Sequence, residues 1–171
     1  LLDAGADLLA METIPTIREA EVLVALLDEF GATGWLSYQC RDGSTTAAGE
    51  AIAAAVAVTA GSPGIVAVGV NCTAPRHVPT LLAAARAATG LPLIAYPNGG
   101  DRWDAATRRW VGDDPSGRFE AVGEAGWTAL GAGWLGGCCG TGPADIAALA
   151  GALGALGALG AGRDQRPVRR S

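Results

Sequence analysis

Three of the four cysteines stand at the ends of apolar segments, where their thiols could bind a metal ion. Cys72 closes the segment VAVGVNC, and Cys138 and Cys139 lie within WLGGCCGT. Three thiolates could form an all-sulfur zinc site with an open fourth position, which is typical of catalytic rather than structural sites. Adjacent ligands can share one metal only where the backbone turns sharply, and the surrounding glycines would permit that turn. Because there is no CxxC pair, small buried thiols without a metal fit the same spacing.

Composition restricts the class of protein. Half of the 171 residues are hydrophobic and only 17% are charged, so most of the chain is expected to fold. The twelve cations are all arginine and are scattered, and the net charge is −5, so we expect no nucleic-acid partner. No uninterrupted run of about eighteen apolar residues is present, so no membrane-spanning segment is expected.

The cysteine content and the first residues of the chain indicate the cellular compartment to expect. Four cysteines are too few for a disulfide scaffold, and two of them are adjacent, where a bridge would be strained. We therefore expect a reducing, cytoplasmic environment. The chain begins Leu1-Leu2-Asp3, without methionine or the features of a secretory signal, and is interpreted as a piece of a longer protein.

The elements that must position the cysteines follow an alternating pattern. Short apolar runs alternate with alanine-rich segments of helical period, which indicates βαβ units. The predicted strands are 8–12, 35–40, 65–72, 91–97 and 134–138, and the predicted helices are 16–30, 46–60, 78–89, 118–130 and 144–159. This α/β pattern fits either an open doubly wound sheet or a closed eight-stranded barrel.

Two segments fall outside this alternation. Residues 98–117, with Trp103 and Trp110, form a long polar connection of the kind that serves as a lid or binding loop. Residues 159–171 pass from a Gly-Ala-Leu repeat to an arginine-rich end, and we expect this tail to be disordered.

Four motifs together, METIP, GVNC, YPNGG and GGCCGT, resemble the homocysteine S-methyltransferase family. The resemblance covers residue 1 to about residue 153. It implies a (β/α)8 TIM barrel with Zn²⁺ as cofactor, held by Cys72, Cys138 and Cys139, and it implies that Glu12 contacts the amino group of homocysteine. The partners implied are homocysteine and a sulfonium methyl donor. The segment from Pro97 to Gly112 resembles users of S-methylmethionine or S-adenosylmethionine more than users of betaine.

Further residues are candidates for the substrate pocket, each with a plainer alternative. Asn71 is expected to orient Cys72 or the substrate, although asparagine before a turn is commonly structural. Tyr96 and Asn98 are expected to line the pocket, although Pro97-Asn98-Gly99 is also an ordinary turn sequence. Glu12 could alternatively cap the helix that follows it.

The remaining cysteine and the single histidine are not expected to bind metal. Cys40 ends SYQC and is interpreted as a core or pocket-wall thiol. His77 lies in a proline-flanked segment that opens a helix, and a surface position is expected.

The chain is too short for a whole barrel, which takes about 250 residues and eight strands. If METIP is the fourth strand, residues 1–158 are the C-terminal portion of the barrel domain, strands four to eight. One hypothesis is then a fragment of a methyltransferase. The other is a non-catalytic zinc-binding half-barrel that a partner chain completes, and unpaired sheet edges would favour self-association. An unrelated α/β protein with incidental cysteines would bind no metal.

Overall fold

A parallel sheet is the main element of the computed structural model, which describes residues 1–112 and 126–161. The strands in this part of the chain are β1 Leu9–Ile14, β2 Gly34–Tyr38, β3 Ile65–Asn71, β4 Leu93–Tyr96, β5 Arg102–Asp104, β6 Arg109–Val111 and β7 Ala132–Leu135. Five of them form the sheet in the order β1-β2-β3-β4-β7, with every neighbouring pair parallel. The five strands predicted from the sequence are confirmed. Their carboxyl ends lie at one edge of the sheet.

Helices connect most of these strands. They are α1 Ile17–Glu29, α2 Ile52–Ala57, α3 Val78–Ala88 and α4 Pro143–Ala161. The start of α1 is fixed by two side chains, because Thr16 Oγ1 accepts from the Glu19 N–H at 3.1 Å and Glu50 accepts from the Ile17 N–H at 2.7 Å. This helix start is capped without Glu12, contrary to the plainer alternative for that residue.

The two faces of the sheet have different partners because successive side chains of a strand point to opposite sides. On one face, Leu36 and Tyr38 are fully buried with the helices, and the Tyr38 hydroxyl donates to the Ala55 carbonyl of α2 at 2.7 Å. The other face carries Trp35 and Trp134, whose rings meet edge to face with centroids 5.8 Å apart. This second face carries the polar side chains of the site described below.

Three segments differ from the sequence prediction. The predicted helix 46–60 is reduced to α2, because Cys40 bridges Thr46 and Thr45 bridges Ala51 in antiparallel pairs, and these contacts override the helical propensity of alanine. Of the predicted helix 118–130, residues 126–130 form turns, and 118–125 lie outside the described residues. The predicted connection 98–117 contains an antiparallel hairpin of β5 and β6, and its last residues, from 113 on, are not described.

The end of the described chain is helical. Helix α4 continues to Ala161, slightly beyond its predicted end, and the rest of the predicted tail lies outside the described residues. Among the helices that the structure describes, none combines the length and the apolar character needed to cross a bilayer.

Candidate metal centre

Three thiols come together at the carboxyl edge of the sheet. The sulfur atoms of Cys72, Cys138 and Cys139 all lie within 4.8 Å of one another. Cys72 is buried, Cys138 is partly buried and Cys139 is exposed, so the group opens to solvent on one side. In the described ranges it is the one group of three or more potential ligands with this spacing. The arrangement can hold a metal ion on three sulfur ligands.

Cys72 is held by the neighbouring strand. It follows the last residue of β3 with φ of 45°, a left-handed conformation that a non-glycine residue adopts only when its surroundings enforce it. Its N–H donates to the Tyr96 carbonyl at 3.1 Å, and its own carbonyl accepts from Asn98 Nδ2 at 3.3 Å. The end of β4 therefore fixes the conformation that turns Cys72 into the cluster.

Cys138 and Cys139 are held by the same loop after β4. The Cys138 N–H donates to the Pro97 carbonyl at 2.8 Å, and the Gly99 N–H donates to the Cys139 carbonyl at 2.7 Å. A Cβ on Gly99 would lie 2.7 Å from the carbonyl oxygen of Gly140, so the two loops can approach this closely only with glycine there. Gly140, with φ of 75°, makes the turn that the sequence predicted for adjacent ligands.

Without a bound cation, the surroundings of Cys72 favour its neutral thiol. Burial, followed by the nearby sulfur of Cys138, raises the pKa of Cys72 to about 12. Thiolates are the metal-binding form of cysteine, and a divalent cation supplies the positive charge that stabilises them. The donor set, three sulfurs and one open side, fits a thiophilic ion bound in tetrahedral geometry.

Glu12 lies two strands away, in an irregular part of β1. Met11 pairs with Leu36 and Ile14 pairs with Tyr38, so β1 advances three residues while β2 advances two. The extra residue makes a β-bulge, a device that re-aims side chains and is frequent beside active sites. Glu12 is exposed there.

Asn71 connects the bulge to β3. Its side chain is fully buried, with Oδ1 accepting from the Thr13 N–H at 2.8 Å and from the Ser37 hydroxyl at 2.9 Å. Its Nδ2 donates to Thr13 Oγ1 at 2.8 Å. The structure therefore makes Asn71 a link between strands, and its contact with a substrate stays a prediction.

Tyr96 lies beside this link. Its hydroxyl is 2.5 Å from Ser37 Oγ and accepts from Trp35 Nε1 at 3.0 Å. Because the single Ser37 hydrogen goes to Asn71, Tyr96 is the donor to Ser37. Burial raises the pKa of Tyr96 to about 12, and the negative charge of Glu12 contributes to this rise.

Asn98 and the two residues expected to lie outside the site also have defined places. Asn98 is buried and its Oδ1 accepts from the Gly100 N–H at 2.9 Å, so it shapes the turn as well as holding Cys72. Cys40 is buried outside the cluster, which confirms a core thiol, and burial raises its pKa to about 12. His77 is half-buried, not fully on the surface, and takes no part in the cluster.

Sequence reasoning missed Thr13, Ser37 and Trp35 as parts of the site. Ser37 and Trp35 are two residues apart on β2 and so lie on the same face of the sheet. Their contact with Tyr96 can be identified only once the register of the strands is known. Thr13 carried no sequence signal, because the bulge that brings it to Asn71 depends on contacts with other strands.

The family follows from comparison with known proteins. The chain matches the homocysteine S-methyltransferase family model over residues 1–153. This chain belongs to the homocysteine S-methyltransferase family. The interpretation as an unrelated α/β protein is therefore wrong, because the motifs and the fold match together.

Individual relatives agree with this assignment. The chain is 42% identical over 154 residues to homocysteine S-methyltransferase 4 of Zea mays, covering 88% of this chain and 45% of the relative. It is 43% identical over 150 residues to homocysteine S-methyltransferase of Escherichia coli (strain K12), covering 87% of this chain and 48% of the relative. The metallated crystal structure of the Escherichia coli homocysteine methyltransferase MmuM superposes with a TM-score of 0.68 at 41% identity. The match covers 87% of this chain and 46% of the MmuM chain. The chain thus spans about half the length of the relatives it matches.

Proposed function

We propose that the protein transfers a methyl group from a sulfonium donor to the thiol of homocysteine, giving methionine, with zinc held by Cys72, Cys138 and Cys139. The observation that carries this proposal is the group of three thiols within 4.8 Å at the carboxyl edge of a parallel sheet, in a chain of this family. When bound, zinc supplies the positive charge that lowers the pKa of a thiol placed at its open position, so that the thiolate is the nucleophile.

The other residues of the site bind and orient. The Glu12 carboxylate is exposed and anionic, which suits the ammonium group of homocysteine. Tyr96 and Asn98 form the wall next to the cluster, and their hydrogen bonds to Ser37 and Cys72 hold that wall rigid. A fixed wall matters because a sulfonium donor is already activated and needs mainly in-line positioning.

The donor is proposed to be S-methylmethionine or S-adenosylmethionine, approaching under the β5–β6 hairpin. The hairpin follows the Asn98 turn directly and places Trp103 opposite Trp110. Aromatic rings attract sulfonium-type cations, which suits a donor site built on these residues.

We further propose that β1, β2, β3, β4 and β7 are strands four to eight of a (β/α)8 barrel formed by residues 1–158 and by strands outside this chain. Support comes from the sheet order, which follows the chain, from the parallel pairing of all neighbours, and from the likeness to MmuM. The free cysteines suit the reducing cytoplasm, where we place the reaction.

The experiment is zinc content per chain after purification under reducing conditions, for the wild type, Cys138→Ser and Cys40→Ser. We expect one zinc in the wild type and in Cys40→Ser, because Cys40 is a buried thiol outside the cluster, and loss of zinc in Cys138→Ser. The intact protein should then methylate homocysteine, and Cys138→Ser should not. Folded wild-type protein without zinc would overturn the proposal.

One observation favours a second role, a non-catalytic zinc-binding half-barrel completed by a partner chain. Strand β1 is an edge of the sheet, and exposed apolar side chains surround it, including Leu8, Leu26 and Phe30. This role predicts stoichiometric zinc without methyl transfer, so the same pair of measurements separates it from the enzyme.

A further inference from the structure

Two positions of the site have unusual backbone conformations: the Asn71 side chain holds one of them, and Asn71 directly precedes the other in the chain. In the described chain, left-handed φ values at non-glycine residues occur at Thr13 (62°), Cys72 (45°) and Arg108 (53°). The first two lie next to the functional positions, because Thr13 follows Glu12 and Cys72 is a member of the thiol cluster. Such conformations cost about 1–3 kcal/mol each and persist only where neighbouring groups enforce them.

Asn71 enforces the conformation at Thr13. The bulge removes the Thr13 N–H from the β1–β2 ladder, and Asn71 Oδ1 replaces the missing partner at 2.8 Å. The reciprocal bond from Asn71 Nδ2 to Thr13 Oγ1, also 2.8 Å, fixes the side chain of Thr13 as well. Ser37 on the intervening strand donates to the same oxygen at 2.9 Å. We call Asn71, Thr13 and Ser37 the amide link.

The amide link is joined to the metal cluster through the backbone. Asn71 is the last residue of β3, and Cys72 is the next residue along the chain. One peptide bond therefore connects the side chain that holds the Glu12 bulge to a thiol of the cluster. Full burial of Asn71, together with its three hydrogen bonds, leaves this side chain one arrangement.

We propose that the amide link is a positioning device that sets the Glu12 carboxylate relative to the Cys72 thiol, and so matches the site to an amino acid whose ammonium and thiol groups are separated by a short carbon chain of given length. Asn71, Thr13 and Ser37 act through Glu12 and Cys72 and do not need to touch the substrate. The inference rests on the proposed function, because it takes Glu12 as the ammonium contact and the cluster as the thiol contact.

The test compares two thiols on the intact protein loaded with Co²⁺, whose sulfur-to-cobalt absorption reports thiol binding without turnover. Homocysteine carries the ammonium group, and 4-mercaptobutanoate is the same molecule without it. The ratio of the two dissociation constants therefore measures the ammonium contact alone. Co²⁺ stoichiometry in each variant reports whether the cluster itself is intact.

Thr13→Ala and Thr13→Ser are the decisive pair, since both lose β-branching and differ only in the hydroxyl that accepts from Asn71. We expect Thr13→Ala, and Asn71→Ala where it folds, to bind homocysteine about 10- to 100-fold more weakly, the range for a lost charged hydrogen bond. Binding of 4-mercaptobutanoate should change by less than about twofold. Thr13→Ser should keep the wild-type ratio.

Thr59→Ala is the matched control. Thr59 is a buried threonine whose hydroxyl donates to the Val56 carbonyl at 2.8 Å, away from the site, so its loss should leave the ratio unchanged. Equal weakening of both thiols in Thr13→Ala, or no weakening, would overturn the positioning role. Wild-type protein that binds Co²⁺ but shows no response to homocysteine would overturn the proposed function and the inference with it.

Discussion

At the scale of single residues, burial has opposite consequences for the cysteines of this chain. Cys40 lies in the core and, among the residues that the structure describes, belongs to no group of potential metal ligands, so burial keeps it neutral. Cys72 is equally buried, but Cys138 and Cys139 converge on it, and three thiols together form a site for a cation. The number of converging sulfurs, more than burial, separates a core thiol from a ligand.

Cys40 predicts how stability depends on alkaline pH. Burial raises its pKa from 9.0 to about 12. The thiol therefore ionises at lower pH in the unfolded state than in the folded state, so the neutral thiol favours folding. That stabilisation is complete below about pH 9 and is lost as the pH rises toward 12. In urea titrations, the free energy of unfolding of the wild type should fall between pH 8 and pH 12 by on the order of 1–4 kcal/mol more than that of Cys40→Ala. Parallel losses in both proteins would contradict this account.

Much of the site's composition could be predicted from the sequence, but not its internal hydrogen bonds. The three metal-ligand candidates follow from motif and spacing, and the structure brings their sulfurs together. The links among Thr13, Ser37 and Asn71 could not be predicted, because they depend on a bulge and on the register of three strands.

At the scale of elements, the strands were more predictable than their connections. Each strand is a short apolar run with recognisable boundaries. The helix over 46–60 was predicted from its alanine content, but the isolated bridges at Thr45 and Thr46 prevent a helix in the first part of that segment. The hairpin of β5 and β6 was missed because each strand is only three residues long. Segments this short carry too little periodicity to identify.

The hairpin carries a prediction about the methyl donor. If Trp110 contributes to the donor site, Trp110→Ala should raise the Michaelis constant of the donor more than that of homocysteine in steady-state assays. Trp127→Phe is a suitable control, since Trp127 is fully buried in the hydrophobic core. An unchanged donor constant in Trp110→Ala would exclude this role.

At the scale of the whole molecule, one side of the sheet is left uncovered. Beside β1, apolar residues of the strand, of α1 and of the turn after α1 line a cavity of about 130 Å³: Leu9, Met11, Leu23, Leu26, Leu27, Phe30 and Ala32. Phe30 is 68% exposed, which is unusual for so large a side chain and marks a surface that favours association. A barrel completed by further strands would cover this surface.

The chain expressed alone should therefore self-associate through β1 and α1. We expect Phe30→Ser to shift the sedimentation profile toward monomer, because it removes the largest exposed apolar side chain of that surface. Ile146→Ser, on α4 and 43% exposed in the wild type, should leave the profile unchanged. A wild-type chain that sediments as a monomer at high concentration would refute this expectation.

The left-handed conformation of Thr13 has a consequence for laboratory evolution. Glycine adopts such a φ without steric cost, so Thr13→Gly relieves backbone strain, but it also leaves the buried Nδ2 of Asn71 without its hydroxyl partner. That loss, about 1–3 kcal/mol, is as large as the strain relieved, so a screen for heat resistance gains nothing from the replacement and a screen for turnover rejects it. Threonine at position 13 is thus a residue that selection for durability and selection for activity both retain.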